Sequence, residues 1–174
     1  MAAEHLVLVA GASGYVGRHL IPALLAQGCR VRCLARQPQR LAVQPWFRQV
    51  EVVRGDVAER ASLDPALLGV STAFYLVHNM TSGHSYAARD LLAAGNFAAA
   101  ASQAGVARII YLGGLADPQA SIGQHLASRI QTGDALRQGS VPVTELRASI
   151  VIGPGATAFE MIRYVTEQFP LLLA

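Results

Sequence analysis

Apolar residues in this chain come in two patterns: short unbroken runs, and longer stretches where they recur every three or four positions. Leu6–Ala10, LVLVA, is the first unbroken run and stops at a glycine. A run of that length without polar alternation marks a strand buried on both faces. Val16, Leu20, Ile21, Leu24 and Leu25 then fall on one helical face, and Gly28 marks where that helix ends. Pro22 interrupts it, because proline has no amide for the Arg18 carbonyl; a bend is expected there. Further strands are predicted at Arg30–Ala35, 49–53, 73–77, 108–112 and 143–146, and further helices at 84–104, 122–138 and 159–168. The 84–104 helix is rich in alanine, which allows close approach to a sheet. Strands alternating with helices predict an α/β fold with a parallel sheet. Right-handed crossovers make it doubly wound, with helices on both faces.

The turn between the first strand and the first helix carries the clearest chemistry. It reads Gly11-Ala12-Ser13-Gly14-Tyr15-Val16-Gly17, a G-x-x-G-x-x-G spacing. Gly11 permits the tight turn, Gly14 lets the backbone approach a pyrophosphate, and Gly17 lets helix and strand pack closely. The amides opening the helix, around Tyr15 and Val16, would face the phosphate charge. Ser13 can add a hydroxyl contact. A glycine pattern alone is weak, but its place between a strand and a helix makes this a dinucleotide loop of the Rossmann type.

The end of the second strand selects the cofactor. An acidic residue there would bond the adenosine ribose and favour NAD. Here the stretch is Leu34-Ala35-Arg36-Gln37-Pro38-Gln39-Arg40. The Arg36 guanidinium suits a 2′-phosphate, so NADP is favoured over NAD, with a solvated surface charge as the alternative. After the third strand, Asp56 can accept from an adenine amino group while Val57 packs on the ring; Asp56 can equally cap a helix.

Composition narrows the chemistry further. The chain has 174 residues, enough for one domain with a core, and 52% of them are hydrophobic against 14% charged. All 14 basic residues are arginine, scattered along the chain, and there is no lysine. A nucleic-acid surface is therefore not expected. A Schiff-base lysine, a P-loop lysine and a tyrosine–lysine pair are excluded within this chain. Cys29 and Cys33 read as small buried apolar residues rather than a disulfide or metal site. No metal-ligand spacing is present. No apolar run reaches the roughly 18 residues of a membrane span, and the N-terminus enters a strand without a basic leader; a cytoplasmic protein is expected. The last six residues, Phe169-Pro170-Leu171-Leu172-Leu173-Ala174, are apolar where chain ends are usually polar. They suggest a cut through a longer protein or a tail packed on a partner.

The segments GASGYVG, RCLARQPQR, RGDV, FYLVHNM, RIIYLGGL and PVTELRASIVIGPG occur in this order along nearly the whole chain. Together they resemble the atypical, extended-like short-chain dehydrogenase/reductases, and among them the NmrA-like and NAD(P)H-binding proteins. The resemblance implies a single Rossmann-type domain over residues 1–174 that binds NAD(P) at the carboxyl ends of the strands. Members usually run well beyond 174 residues, so a C-terminal substrate lobe is expected to be missing. Leu76, Val77 and His78 leave the fourth strand near the expected path of the nicotinamide half, and Gly113 ends the fifth.

In the catalytic members a tyrosine and a lysine stand four apart on one helix, and a serine ends the fifth strand. This chain departs at each point. Its tyrosines, Tyr15, Tyr75, Tyr86, Tyr111 and Tyr164, have His19, Asn79, Asp90, Leu115 and Gln168 four residues on. The fifth strand ends in Gly113-Gly114. By alignment of the resemblance, His125 and Arg129 of the segment HLASR take the place of the tyrosine–lysine pair. That spacing puts both on one helical face. An imidazole can exchange a proton near neutrality, and a guanidinium can hold a carboxylate, a phosphate or the nicotinamide ribose. Proton transfer, substrate or cofactor positioning, and a structural role all remain open for the pair. Tyr111 reads as core; His84, Tyr86 and Tyr164 are possible rims of a substrate cleft.

Three functions fit these residues. The first is an NADP-dependent oxidoreductase acting on a small molecule. The second is a non-catalytic NADP(H) sensor that reports to a regulatory protein partner. The third is an epimerase or dehydratase with tightly held cofactor. The alanine-rich helix and the histidine–arginine helix could also form a homodimer interface.

Overall fold

The computed structural model describes residues 5–78, 86–115 and 123–168. Among them, six strands form one parallel sheet: β1 (Leu6–Ala10), β2 (Arg30–Ala35), β3 (Glu51–Arg54), β4 (Thr72–Tyr75), β5 (Arg108–Gly114) and β6 (Val143–Ala148). The helices are α1 (Tyr15–Ala26), α2 (Arg60–Leu67), α3 (Tyr86–Gln103), α4 (Gln124–Arg137) and α5 (Thr157–Gln168). The strand order is β3-β2-β1-β4-β5-β6. The chain winds outward from β1 in both directions, so a crevice opens between the carboxyl ends of β1 and β4, where such sheets bind ligands.

β1 is central, and every residue of it is at most 6% exposed. Its alternate side chains feed two cores. Leu8 and Ala10 join Tyr75, Phe97, Ile109, Tyr111 and Leu136 on the side covered by α2, α3 and α4. Val9 joins Ile21, Val31, Cys33, Leu41 and Trp46 on the side of α1. Cys33 is fully buried and burial pushes its thiol up to about 12, so it packs as an apolar residue. Cys29 is half-buried, and both thiols are free.

Several predicted bounds shift. β3 begins at Glu51 rather than at 49, because 47–49 closes a 3₁₀ turn. β5 and β6 each run two residues further, through Gly114 and Ala148. α1 continues through Pro22, which lies on its exposed side. Its cap is Gln27, and Gly28 follows in the left-handed region at φ 75°. The helix α2 is an addition to the sequence reading. It buries Leu63, Ala66 and Leu67 despite Pro65 within it.

α5 has no buried residue, and Met161, Ile162, Tyr164 and Val165 are all exposed. Leu146 of β6 is exposed as well. No helix among the described residues is long and apolar enough to cross a membrane. The apolar C-terminal six residues lie outside the described residues.

The main core depends on α3. Phe97 is fully buried and meets Tyr75 edge-on at 5.0 Å between ring centroids. Phe97→Ala should lower the unfolding free energy by about 3–5 kcal/mol, read as a lower urea midpoint. An unchanged midpoint would mean that α3 does not pack on β4 in this way.

Candidate functional site: the carboxyl edge of the sheet

The glycine loop is built by close contacts that only glycine allows. Gly11 has φ 99°, and a Cβ there would stand 2.8 Å from both the Leu76 carbonyl carbon and its oxygen. Gly17 is buried, and a Cβ on it would meet the Gly11 oxygen at 2.5 Å and Ala12 Cα at 2.8 Å. α1 therefore starts directly against the turn. Gly14 caps α1 with extended backbone and no side-chain hydrogen bond, and its amide donates to the Gly11 carbonyl at 3.0 Å. Ser13 and Gly14 are exposed; Tyr15 and Val16 are half-buried. A Cβ on Gly14 would touch only the Gly11 oxygen, at 3.3 Å. A backbone open above Gly14, with helix amides lacking side-chain acceptors, fits a pyrophosphate.

The ends of β2 and β3 adjoin this loop. The Arg36 side chain is 68% exposed, and its guanidinium lies 4.0 Å from Asp56 Oδ2. Asp56 Oδ1 accepts from the Ala58 amide at 3.0 Å, and the Asp56 amide donates to Ser62 Oγ. The cap residue of α2 is Glu59, so Asp56 does not cap that helix; it closes the turn before it. Val57 is buried in the core beside Leu34 and Leu63, which leaves little of it for a ligand.

β4 and β5 supply the other half of the crevice. Leu76 packs toward the α1 side of the sheet and Val77 toward the α3 side. His78 comes next, and its Nε2 lies 3.2 Å from Nδ1 of His125, with the rings edge-on at 4.5 Å. Nδ1 of His78 lies 3.7 Å from Oδ2 of Asp90, a buried residue of α3. The sequence reading named His78 and His125 separately and did not name Asp90 as a site residue.

The two ends of the segment HLASR have different partners. His125 is exposed and turns to His78. Arg129 is half-buried and donates through Nη2 to the Leu112 carbonyl, while its own carbonyl accepts from the Tyr111 hydroxyl at 2.8 Å. Arg129 thus fastens α4 to the end of β5. Gly114, which ends β5, makes this approach possible, while Gly113 makes room for a side chain of β6. A Cβ on Gly114 would collide with Leu126, and one on Gly113 with Glu145, the carboxylate held by Arg137 and Arg147. Gly113 is buried and occupied with packing.

Tyr111 is core, as expected. Tyr164 is exposed on α5. Asn79, His84 and the side chain of Tyr86 lie outside what is described. An open pocket of about 520 Å³ lies among Tyr15, Arg18, His19, Trp46 and Pro154; neither His78 nor His125 lines it. Among the described residues, no group of three or more His, Cys, Asp or Glu is arranged to hold a metal ion.

The sequence profile of the NmrA-like family matches residues 3–166. The chain belongs to that family. Ceramide reductase of Caulobacter vibrioides is 33% identical over 176 residues, 98% of this chain and 54% of the reductase. The (4-alkanoyl-5-oxo-2,5-dihydrofuran-3-yl)methyl phosphate reductase of Streptomyces griseus is 35% identical over 143 residues, 82% of this chain and 46% of that enzyme. This NmrA-like chain thus spans about half the length of these curated relatives. Among solved structures, triphenylmethane reductase of Citrobacter sp., complexed with NADP(H), superposes with a TM-score of 0.72 at 28% identity, over 93% of this chain and 55% of that one. MoeE5, in complex with UDP-glucose and NAD, shares the fold at 23% identity, with a TM-score of 0.75 over 92% of this chain and 60% of its own.

The electrostatics around His78 have a measurable consequence for this NmrA-like domain. Burial, helped by the positive charge of Arg129 and by His125 and opposed by Asp90, lowers His78 from 6.5 to about 4. Below pH 6.5 the unfolded chain takes up a proton that the folded chain refuses. Stability should be full above pH 6.5 and fall as pH drops toward 4, by up to about 3 kcal/mol from this residue. Urea midpoints between pH 7 and 4 should decline less steeply for His78→Asn than for the wild type. Equal slopes would show that His78 is solvated.

Proposed function

We propose that this chain is the dinucleotide-binding part of an NADP(H)-dependent reductase. The observation that carries the reading is a juxtaposition at the carboxyl edge of the sheet. The glycine loop abuts Leu76, and two residues further on His78 meets His125. On this reading a phosphate-binding turn and a proton-exchanging side chain stand at the same edge of the sheet.

The pyrophosphate would rest on Gly11, Ser13, Gly14 and the opening amides of α1. Arg36 would meet a 2′-phosphate, since its guanidinium is largely exposed and lies as far as 4.0 Å from Asp56. Leu76, Val77 and His78 would flank the nicotinamide half. When bound, the reduced cofactor supplies hydride to a small organic acceptor. His125 supplies the proton to the acceptor atom that gains negative charge, and its exposed ring is then recharged from solvent. Arg129 keeps α4 in place on β5 and adds fixed positive charge nearby. Reductase activity in the two curated relatives and NADP(H) in the Citrobacter structure support this reading.

The test is a titration of the purified chain with NADPH and with NADH, followed by nicotinamide fluorescence. NADPH should bind more tightly. Arg36→Ala should weaken NADPH binding about tenfold to a hundredfold, the loss of one charge-assisted contact, and leave NADH unchanged. A folded chain that binds neither nucleotide overturns the proposal. Tight NADPH binding with no turnover that depends on His125 would instead assign the chain to dinucleotide sensing.

A further inference from the structure

We infer that Asp90 and His78 are positioning residues that hold His125 in the tautomer whose Nε2 is free to exchange a proton. The inference rests on the reading of His125 as the proton-transfer residue. It deepens that reading by naming two side chains that act on His125.

The three residues come from three elements: His78 from the loop after β4, Asp90 from α3, and His125 from the first turn of α4. They are graded in exposure. The Asp90 side chain is 6% exposed, that of His78 16%, and His125 is exposed. The line therefore runs from the core outward.

A neutral imidazole has one donor nitrogen and one acceptor nitrogen. The environment of His78, buried and close to the Arg129 charge, favours its neutral form. Its Nδ1 faces Asp90 Oδ2 at 3.7 Å, so the electrostatically favoured place for its single proton is Nδ1. Nε2 of His78 is then the acceptor. The atom facing it at 3.2 Å, Nδ1 of His125, must carry hydrogen to make that bond. A neutral His125 held this way has an unprotonated Nε2.

This arrangement matches the proton balance of the proposed step. His125 charged on both nitrogens gives up the Nε2 proton to the acceptor, and its N–H bond breaks as the new bond to hydrogen forms. The tautomer left behind is the one that His78 already accepts, so no ring flip or second proton movement is needed. A carboxylate orienting one imidazole is a familiar device. Here a second histidine transmits the orientation.

Asp90→Asn and His78→Asn test the inference in the full chain, by long-range ¹H–¹⁵N correlation of the ¹⁵N-labelled histidine rings at neutral pH. His125 in the wild type should show a protonated Nδ1 and an unprotonated Nε2. In Asp90→Asn, His78 loses the group that fixes its proton, and the Nε2 signal of His125 should move toward the protonated range. In His78→Asn, the partner of His125 Nδ1 is gone, and the same movement should follow. A variant that only loosens packing would not invert a tautomer. Should Asp90→Asn fail to fold, His78→Asn carries the test alone. A wild-type His125 protonated on Nε2 overturns the inference, as does a His125 pattern that stays the same in a folded variant. A wild type that shows the expected tautomer but binds no NADPH would sink the functional proposal and leave the three-residue line standing.

Discussion

The carboxyl edge depends on one close approach: α1 begins where the Gly11 turn is already pressed against β4. Gly17 meets the Gly11 carbonyl and Gly11 meets the Leu76 carbonyl at distances that exclude any side chain. Those contacts join β1, α1 and the end of β4 at one point. They bring the amides of α1 to the mouth of the crevice, and they fix where the chain leaves β4 toward His78. Loosening this point would move the glycine loop and the histidine together.

A second close approach mirrors it across the crevice. Gly114 lets α4 lie on the end of β5, and Arg129 fastens it through the Leu112 carbonyl. That brings the first turn of α4 within reach of His78. The departures from the tyrosine–lysine and serine pattern are thus linked in space. Of the two strand-end glycines that stand where a serine is expected, Gly114 also makes room for the helix carrying His125.

Much of the sheet was legible because a parallel sheet buried on both faces needs short apolar runs, and LVLVA in β1 is one. β3 was harder to bound, since its Glu51 and Arg54 lie at the edge of the sheet. α2 went unread because its apolar face is only Leu63, Ala66 and Leu67, interrupted by Pro65. The glycine loop was legible because its glycines are required by close contacts around one short turn. The histidine contact was not: His78 and His125 lie 47 residues apart, and no periodicity joins them. The i, i+4 spacing of His125 and Arg129 suggested a working pair, but the two side chains have different partners.

The absence of lysine sets the electrostatic terms of the site. In the tyrosine–lysine arrangement a cation beside the proton donor makes a phenol easier to ionise. Here the nearby cation is the Arg129 guanidinium, committed to a backbone carbonyl, and one of the groups it acts on is the His78 imidazole. A fixed positive charge disfavours a second one, and together with burial it keeps His78 neutral. Two histidines in contact can divide their work only if their surroundings differ. The inner ring is buried, flanked by Arg129 and Asp90, and suited to accept a hydrogen bond without taking a proton. The outer ring, His125, is exposed. Arg129 therefore acts on the charge state of His78, as well as through its hold on β5.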